Sequence, residues 1–96
     1  MSRETHTDLI GLSDRELRMR AGDATHQHYK GGLYRLLGDA MDARTGGALL
    51  DLDGRPMVVY EHVYPRRREL WLRSSREFYG TVEVEGERRE RFRRLG

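Results

Sequence analysis

The sequence contains no cysteine, and this absence excludes disulfide bonds and thiol chemistry. It also fits a reducing compartment. The chain has no apolar run long enough to span a membrane or to act as a secretory signal, and its first residues, MSRETHTDLIGL, already include acids. We therefore expect a cytoplasmic protein with no membrane partner.

Lysine is almost absent too, because Lys30 is the single lysine among 18 basic residues and the other 17 are arginine. The 16 acidic residues leave a net charge of only +2, which is no large excess. Arginine favours forked contacts with phosphates and carboxylates and stacks on aromatic rings. Genome-wide codon bias produces the same composition, so arginine content permits anion binding without requiring it.

The first 25 residues differ in pattern from the rest. Ser13 followed by Glu16 has the spacing of a capping box, in which each residue satisfies a backbone N–H near the start of a helix. The spacing predicts a short helix over residues 13–21, ended near Gly22, behind a loose N-terminal tail. This segment either packs on the domain or docks a partner.

From His26 onward the apolar residues alternate with polar ones, which is the period of half-buried strands. Turn formers separate strand candidates at intervals of roughly 8–12 residues, which indicates a small all-β barrel or sandwich of five to six short strands over residues 26–96. In RRRELWLR we expect Leu70 and Leu72 on one side and Trp71 with Arg73 on the other. The strand candidates are GLYRLLGDA, MVVYEHVY, RRRELWLR and TVEVEGERRERF, with SSREFYG as a short helical turn.

The glycine pair in HYKGGLYR does not fit a phosphate-binding loop. Such a loop follows a strand and opens a helix, with lysine and a hydroxyl residue after the glycines. Here Lys30 precedes the glycines and a strand follows them. The pair is therefore interpreted as a turn that starts the first long strand.

Neither a metal site nor a catalytic centre emerges from the sequence. His26 and His28 would share one face of a strand, with His62 as a third ligand, but no acid stands at a convincing spacing. The serines lie in no nucleophile-elbow or triad context, and Glu83 with Glu85 falls on a solvent face. We expect no metal, no cofactor and no enzymatic activity.

Aromatic and basic side chains recur together along the predicted strands. Alternation places Tyr60, His62 and Tyr64 on one face of their strand, and Trp71 with Arg73 on one face of the next. Interleaved aromatic and basic side chains form surfaces that stack bases or bind peptides. The candidate ligand-binding residues are Tyr29, Lys30, Tyr34, Arg35, Tyr60, Tyr64, Trp71 and Arg73. The alternative is that these aromatic rings fill a core that is short of aliphatic side chains.

Residues 26–94 resemble the bacterial family catalogued as domain of unknown function 1653. The landmarks that carry the resemblance are His28, Tyr29, Lys30, Gly31, Tyr34, Arg35, Val58, Val59, Tyr60, Tyr64, Leu70, Trp71, Arg73, Phe78, Arg91 and Phe92. The chain departs from the family pattern at VYP, at WLRS and in a longer loop over residues 44–56. The resemblance implies a small SH3-like β-barrel and implies no biochemical activity.

Two functional hypotheses remain open at this point. The first is a non-enzymatic binding module that presents an aromatic and arginine groove to a nucleic acid, nucleotide or peptide. The second is an assembly domain that pairs with a partner or with a second copy of the chain, through residues 1–25 or through a strand edge.

Overall fold

The computed structural model describes residues 3–96, so residues 1 and 2 of the predicted N-terminal unit lie outside the described residues. The elements of residues 3–96, in chain order, are a 3₁₀ turn (Thr7–Leu9), α1 (Asp14–Arg20), β1 (His26–His28), β2 (Leu33–Asp39), β3 (Met57–Tyr64), β4 (Glu69–Ser74), α2 (Ser75–Phe78), β5 (Thr81–Val84), β6 (Glu87–Glu90) and β7 (Phe92–Arg94). The prediction of a small, mainly β fold with a short N-terminal helix is confirmed. Within residues 3–96 there are seven strands, against the five to six expected.

The strands form two antiparallel sheets. The larger sheet has the order β4-β3-β2-β1-β7, and the smaller one is the hairpin β5-β6. Glu85 and Gly86 join the hairpin with φ values of 51° and 81°, the left-handed backbone that a tight two-residue hairpin turn needs. The long central pair β2-β3 carries four of the eight candidate residues, and β4 carries two more.

Two bulges interrupt the alternation between β2 and β3. Tyr34 lies opposite His62 but Leu33 lies opposite Tyr64, so β3 holds one extra residue between those pairs. A second shift falls between Leu36 and Gly38. Strict alternation, on which the sequence-based face assignments relied, therefore fails at both ends of the pair.

The larger sheet buries one apolar cluster on each face. We call the face that carries Tyr34 and Tyr60 the front face, and the opposite face the back face. The front cluster consists of Val58, Tyr60, Phe78 and Phe92, with Tyr34 and Leu36 packed against it. The back cluster consists of Leu9, Leu17, Ala21, Ala24, Leu33, Val63 and Leu95, with Leu12 and Tyr64 packed against it. The back cluster is closed by α1 and by residues that precede it.

The predicted capping box is confirmed at the start of α1. The Ser13 side chain accepts from the Glu16 backbone N–H, and the Glu16 carboxylate accepts from the Ser13 backbone N–H. This cap orients a seven-residue helix whose one buried residue is Leu17. No helix formed by residues 3–96 combines the length and the hydrophobicity needed to cross a bilayer.

The expectation of a loose tail is wrong for residues 3–12, which we call the N-terminal segment. Leu9 is completely buried in the back cluster, and burying a leucine side chain stabilises a fold by about 1.5–3 kcal/mol. Glu4 pairs with Arg20 at 2.9 Å and accepts a hydrogen bond from the Tyr64 hydroxyl. The segment is thus packed on the domain.

The N-terminal segment also explains the glycine pair. A Cβ atom at Gly31 would lie 1.7 Å from the carbonyl oxygen of His6, and one at Gly32 would lie 2.5 Å from the His6 ring. Gly31 in addition has a φ of 114°, which side chains rarely adopt. The pair therefore makes the predicted turn and also provides the space in which His6 lies.

Leu70 and Leu72 share one face of β4, as the alternation predicts, but neither is buried. Leu70 is 66% exposed and Leu72 is 50% exposed, because the back cluster lies over β1 to β3 and does not reach β4. Val82 and Val84, which were expected to point inward from β5, are half-buried.

Candidate binding groove

Three depressions on the front face share Tyr34 as a lining residue. Their volumes are 720, 350 and 170 Å³. The first two also share His6, and the last two share Trp71. Because these neighbouring depressions share lining residues, we treat them together as one surface feature, which we call the Tyr34 groove.

The largest depression lies between the N-terminal segment and the β5-β6 hairpin. Its apolar surface comes from Ile10 on one side and Val84 on the other. Tyr29 and Lys30 lie in it, with the lysine ammonium 5.8 Å from the centre of the Tyr29 ring. Arg89 of β6 also lines it. The three candidates Tyr29, Lys30 and Tyr34 are therefore brought together.

The two smaller depressions lie towards β4. Trp71 lines both and is 49% exposed. The Arg73 Nε donates to the Tyr60 hydroxyl over 3.3 Å, and its guanidinium lies 6.0 Å from the centre of the Phe92 ring. Tyr60 itself is buried, so it belongs to the core and offers the groove its hydroxyl end.

Tyr34 is the aromatic residue on which the groove is centred. Its ring centre lies 5.1 Å from that of His62, 5.3 Å from that of Phe92 and 5.7 Å from that of Tyr60. Burial raises the pKa of the Tyr34 hydroxyl, so this side chain stays neutral at physiological pH. The surrounding rings hold Tyr34 in place as the fixed floor of the groove.

A pair of histidines connects the N-terminal segment to the groove. His6 Nε2 lies 3.1 Å from His62 Nε2, and His62 Nδ1 lies 2.9 Å from the carbonyl oxygen of Arg67. A carbonyl oxygen only accepts, so His62 Nδ1 carries a proton and donates it to the Arg67 oxygen. Burial, together with the nearby His62 and Arg66, lowers the pKa of His6. The contact between the two rings holds His6 against β3.

Two of the predicted ligand-binding residues do not join the groove. Arg35 lies on the back face, where its Nε is 3.3 Å from Glu61 Oε1. Tyr64 packs against the back cluster, because the bulge in β3 next to it interrupts the alternation that should have placed it beside Tyr60. The groove therefore holds Tyr29, Lys30, Tyr34, Tyr60, Trp71 and Arg73 of the eight candidates.

The structure adds groove residues that the sequence did not single out as ligand-binding candidates. Arg66 and Arg67 line the middle depression, and Arg89 lines the largest one. The sequence shows the tract Arg66-Arg67-Arg68 as local positive charge, but it does not show that two of these side chains face the groove. No sequence pattern predicts that His6 lines the groove, because it reaches the groove only through the packing of the N-terminal segment.

The three histidines considered as metal ligands are not gathered into one site. His26 packs edge-on against Phe78, with ring centres 5.1 Å apart. His28 packs against Phe92, and burial, with smaller contributions from Arg73 and other basic neighbours, lowers the pKa of His28 to about 4. Across residues 3–96, no three side chains from His, Asp and Glu come close enough together to hold a metal ion.

Comparison with protein families matches residues 24–94, most of the chain, to the family described as "Protein of unknown function (DUF1653)". Neither the curated proteins nor the solved structures contain a match to the chain. The N-terminal segment, which completes the back cluster and one wall of the groove, lies outside the matched range. The landmarks of the sequence resemblance and the family match agree, and the chain belongs to the DUF1653 family.

Proposed function

We propose that this protein is a non-enzymatic binding module that holds single-stranded nucleic acid in the Tyr34 groove. The observation that carries the proposal is Trp71, which is half exposed on the wall of a groove lined by several basic residues. An exposed indole ring is a strong stacking surface for a base.

The aromatic surface of the groove suits bases better than a narrow pocket would. Trp71 lines one end and Tyr29 lines the other, with Tyr34 between them. Every base has a flat face, so stacking on such rings tolerates sequence variation and contributes roughly 1–3 kcal/mol per base. A flexible single strand can present successive bases to separated rings, whereas a duplex keeps its bases stacked on one another.

The charges along the groove favour an anionic ligand. Lys30, Arg66, Arg67 and Arg89 line it against the two carboxylates of Glu69 and Glu85. Arg67 lies 3.7 Å from Glu69, a long and exposed ion pair that is worth little. Within residues 3–96, neither Lys30 nor Arg66 forms an ion pair within 4.0 Å, so both are available to phosphates.

Variants of the groove test the proposal. A fluorescently labelled single-stranded DNA oligonucleotide, titrated at low salt and followed by anisotropy, should bind the wild-type protein. Trp71→Ala should weaken binding by about tenfold, in line with the loss of one stacked base. Arg66→Gln combined with Arg67→Gln should weaken binding further and reduce its salt dependence, because each lost phosphate contact removes released counterions.

Matched controls separate the groove from the rest of the surface. Leu52→Ala removes an exposed apolar side chain and Arg55→Gln removes one positive charge, both from a loop that does not line the groove. Both controls should bind as the wild-type protein does. Equal losses in groove and control variants, or no binding at low salt, would refute the proposal. Binding of an acidic peptide in place of the oligonucleotide would also refute it.

A further inference from the structure

The outer edge of β4 lacks the protection that the other exposed edges have. Within residues 3–96, β4 is hydrogen-bonded to β3 alone and ends the larger sheet. The opposite end of that sheet is β7, a three-residue strand with two arginines, and β6 reads Glu-Arg-Arg-Glu. Short length and charge are the usual means by which proteins keep strand edges from pairing. β4 is six residues long and has neither at its centre.

The centre of β4 is apolar on both faces. Leu70 and Leu72 are exposed on the back face by 66% and 50%, and Trp71 between them is 49% exposed on the front face. Tyr60, on the adjacent strand opposite Trp71, is buried. Three exposed apolar side chains are therefore consecutive at the sheet edge, where another strand would cover them.

The sequence of β4 is complementary to itself when two copies run antiparallel. Residues 69–73 read Glu-Leu-Trp-Leu-Arg. If Trp71 of one copy lies opposite Trp71 of another, each Glu69 faces an Arg73 and each Leu70 faces a Leu72. Directly opposed residues in an antiparallel pair lie on the same face, so charge meets opposite charge and apolar meets apolar at every position. We propose that two copies of this chain pair through β4 in this register.

This pairing has the closed two-fold symmetry that most soluble homodimers have. The axis passes between the two Trp71 residues, perpendicular to the sheet, and joins two five-stranded sheets into one of ten strands. Both Tyr34 grooves then open on the same side. The pairing does not depend on a ligand in those grooves.

Glu69 and Arg73, at the two ends of the proposed strand pair, can form ion pairs with the second copy in addition to their present contacts. Arg73 makes contacts of 3.3 Å with Tyr60 and 3.9 Å with Glu77, and a guanidinium group has five N–H donors. Among residues 3–96, the Glu69 carboxylate forms one ion pair, the 3.7 Å contact with Arg67, and its side chain is 46% exposed. Neither residue has to leave a strong partner in order to face a second copy.

Charge reversal tests the register. Analytical ultracentrifugation of the wild-type protein over a range of concentrations, without nucleic acid, should show a monomer–dimer equilibrium. Glu69→Arg places two arginine pairs in the interface and Arg73→Glu places two glutamate pairs there. Each single variant should weaken the dimer by about tenfold or more, because opposed like charges destabilise a strand pair.

Mixing the two variants is the decisive measurement. Glu69→Arg protein combined with Arg73→Glu protein restores opposite charges at both ends, so the mixture should form a heterodimer as tight as the wild-type dimer. The double variant should likewise self-associate. Residues 69 and 73 of one chain are separated by the length of four strand residues, so a structural effect within a monomer would give no such rescue.

Several results would overturn the proposal. These are a wild-type protein that remains monomeric at high concentration, single variants that dimerise normally, and a mixture that fails to recover the dimer. Asp53→Arg and Arg55→Glu make the same charge changes on an exposed loop and should leave the dimer unchanged. Leu70→Lys, at an exposed position that tolerates a polar side chain, should also disrupt the dimer if Arg73→Glu fails to fold. Because no nucleic acid is present, these outcomes are independent of the binding experiment.

Discussion

Of the glycines in residues 3–96, Gly31 leaves the least space for a side chain. Gly31 has a positive φ, and the backbone oxygen of His6 lies where its Cβ atom would be. The distance of 1.7 Å is far below any real contact, so an added methyl group must displace the backbone of His6. This turn is therefore coupled directly to the position of the N-terminal segment.

Gly31→Ala should lower the free energy of unfolding by about 2–4 kcal/mol, the sum of backbone strain and overpacking. Gly54→Ala is the matched control, because Gly54 also has a positive φ (77°) but faces open space. The control should cost only the strain, about 1 kcal/mol. Urea denaturation measures both, and equal losses in the two variants would show that His6 does not lie where the structure places it.

His28 is the second residue whose environment makes a measurable prediction. Its folded pKa, lowered to about 4 chiefly by burial, lies below the ordinary value of 6.5, so the unfolded chain binds a proton first as pH falls. The free energy of unfolding should therefore fall from pH 6.5 towards pH 4. His6 and His26, whose pKa values burial also lowers, act in the same direction.

His28→Asn should make this decline shallower, since asparagine does not titrate and its carbonyl oxygen can accept from the Lys30 backbone N–H as the His28 Nδ1 does. Unfolding measured between pH 6.5 and 5 isolates the histidines, because carboxyl groups titrate mostly below that range. An identical pH slope in the variant and the wild-type protein would contradict the burial of His28.

The N-terminal segment is the element whose role the structure changes most. It contributes Leu9 to the back cluster and His6 to the wall of the Tyr34 groove. It therefore acts as part of the domain, although the family match begins at residue 24.

Leu9→Ala should destabilise the protein by about 2–5 kcal/mol, the usual cost of removing a fully buried leucine side chain. Ile10→Ala removes a similar volume from the next residue, which is 52% exposed, and should cost well under half as much. Thermal or urea unfolding gives both values. A small effect of Leu9→Ala would show that the segment does not form part of the core.

The sequence patterns predict where helices and strands lie better than they predict on which face of the sheet each side chain lies. The capping residues at Ser13 and Glu16 located α1, and β propensity followed by a proline located β3, because both signals are local. The faces depend on alternation, and a single extra residue in β3 was enough to send Tyr64 to the back cluster. A bulge leaves no clear mark in one sequence.

The candidate site was predictable to a similar degree. Trp71 and Arg73 share a face because they are two residues apart on one strand, which alternation captures. Arg35 was misassigned because it follows a landmark tyrosine in sequence, and neighbouring residues on a strand point in opposite directions. His6 and Arg89 join the groove from other elements, and only the tertiary structure brings them there.

At the scale of the whole molecule, the net charge of +2 is modest and gives no general attraction for nucleic acid. What favours an anionic ligand is the distribution of the charges over the two faces of the sheet. On the back face, Arg68 forms ion pairs with both Asp23 and Glu61, so its charge is neutralised there. Lys30 and Arg66, in contrast, stand in the front groove without an ion pair within 4.0 Å among residues 3–96.

Trp71, which is the only tryptophan in the chain and lines the groove, reports directly on nucleic-acid binding there. A single-stranded oligonucleotide titrated into dilute protein should quench its fluorescence, and the affinity should fall steeply as salt rises, because phosphate contacts release counterions. Two to three contacts predict a slope of log affinity against log salt of about −1.5 to −2, from the value of roughly −0.7 per contact for single strands. Unchanged tryptophan fluorescence at low salt, or quenching that is independent of salt, would contradict the assignment of the Tyr34 groove as a nucleic-acid site.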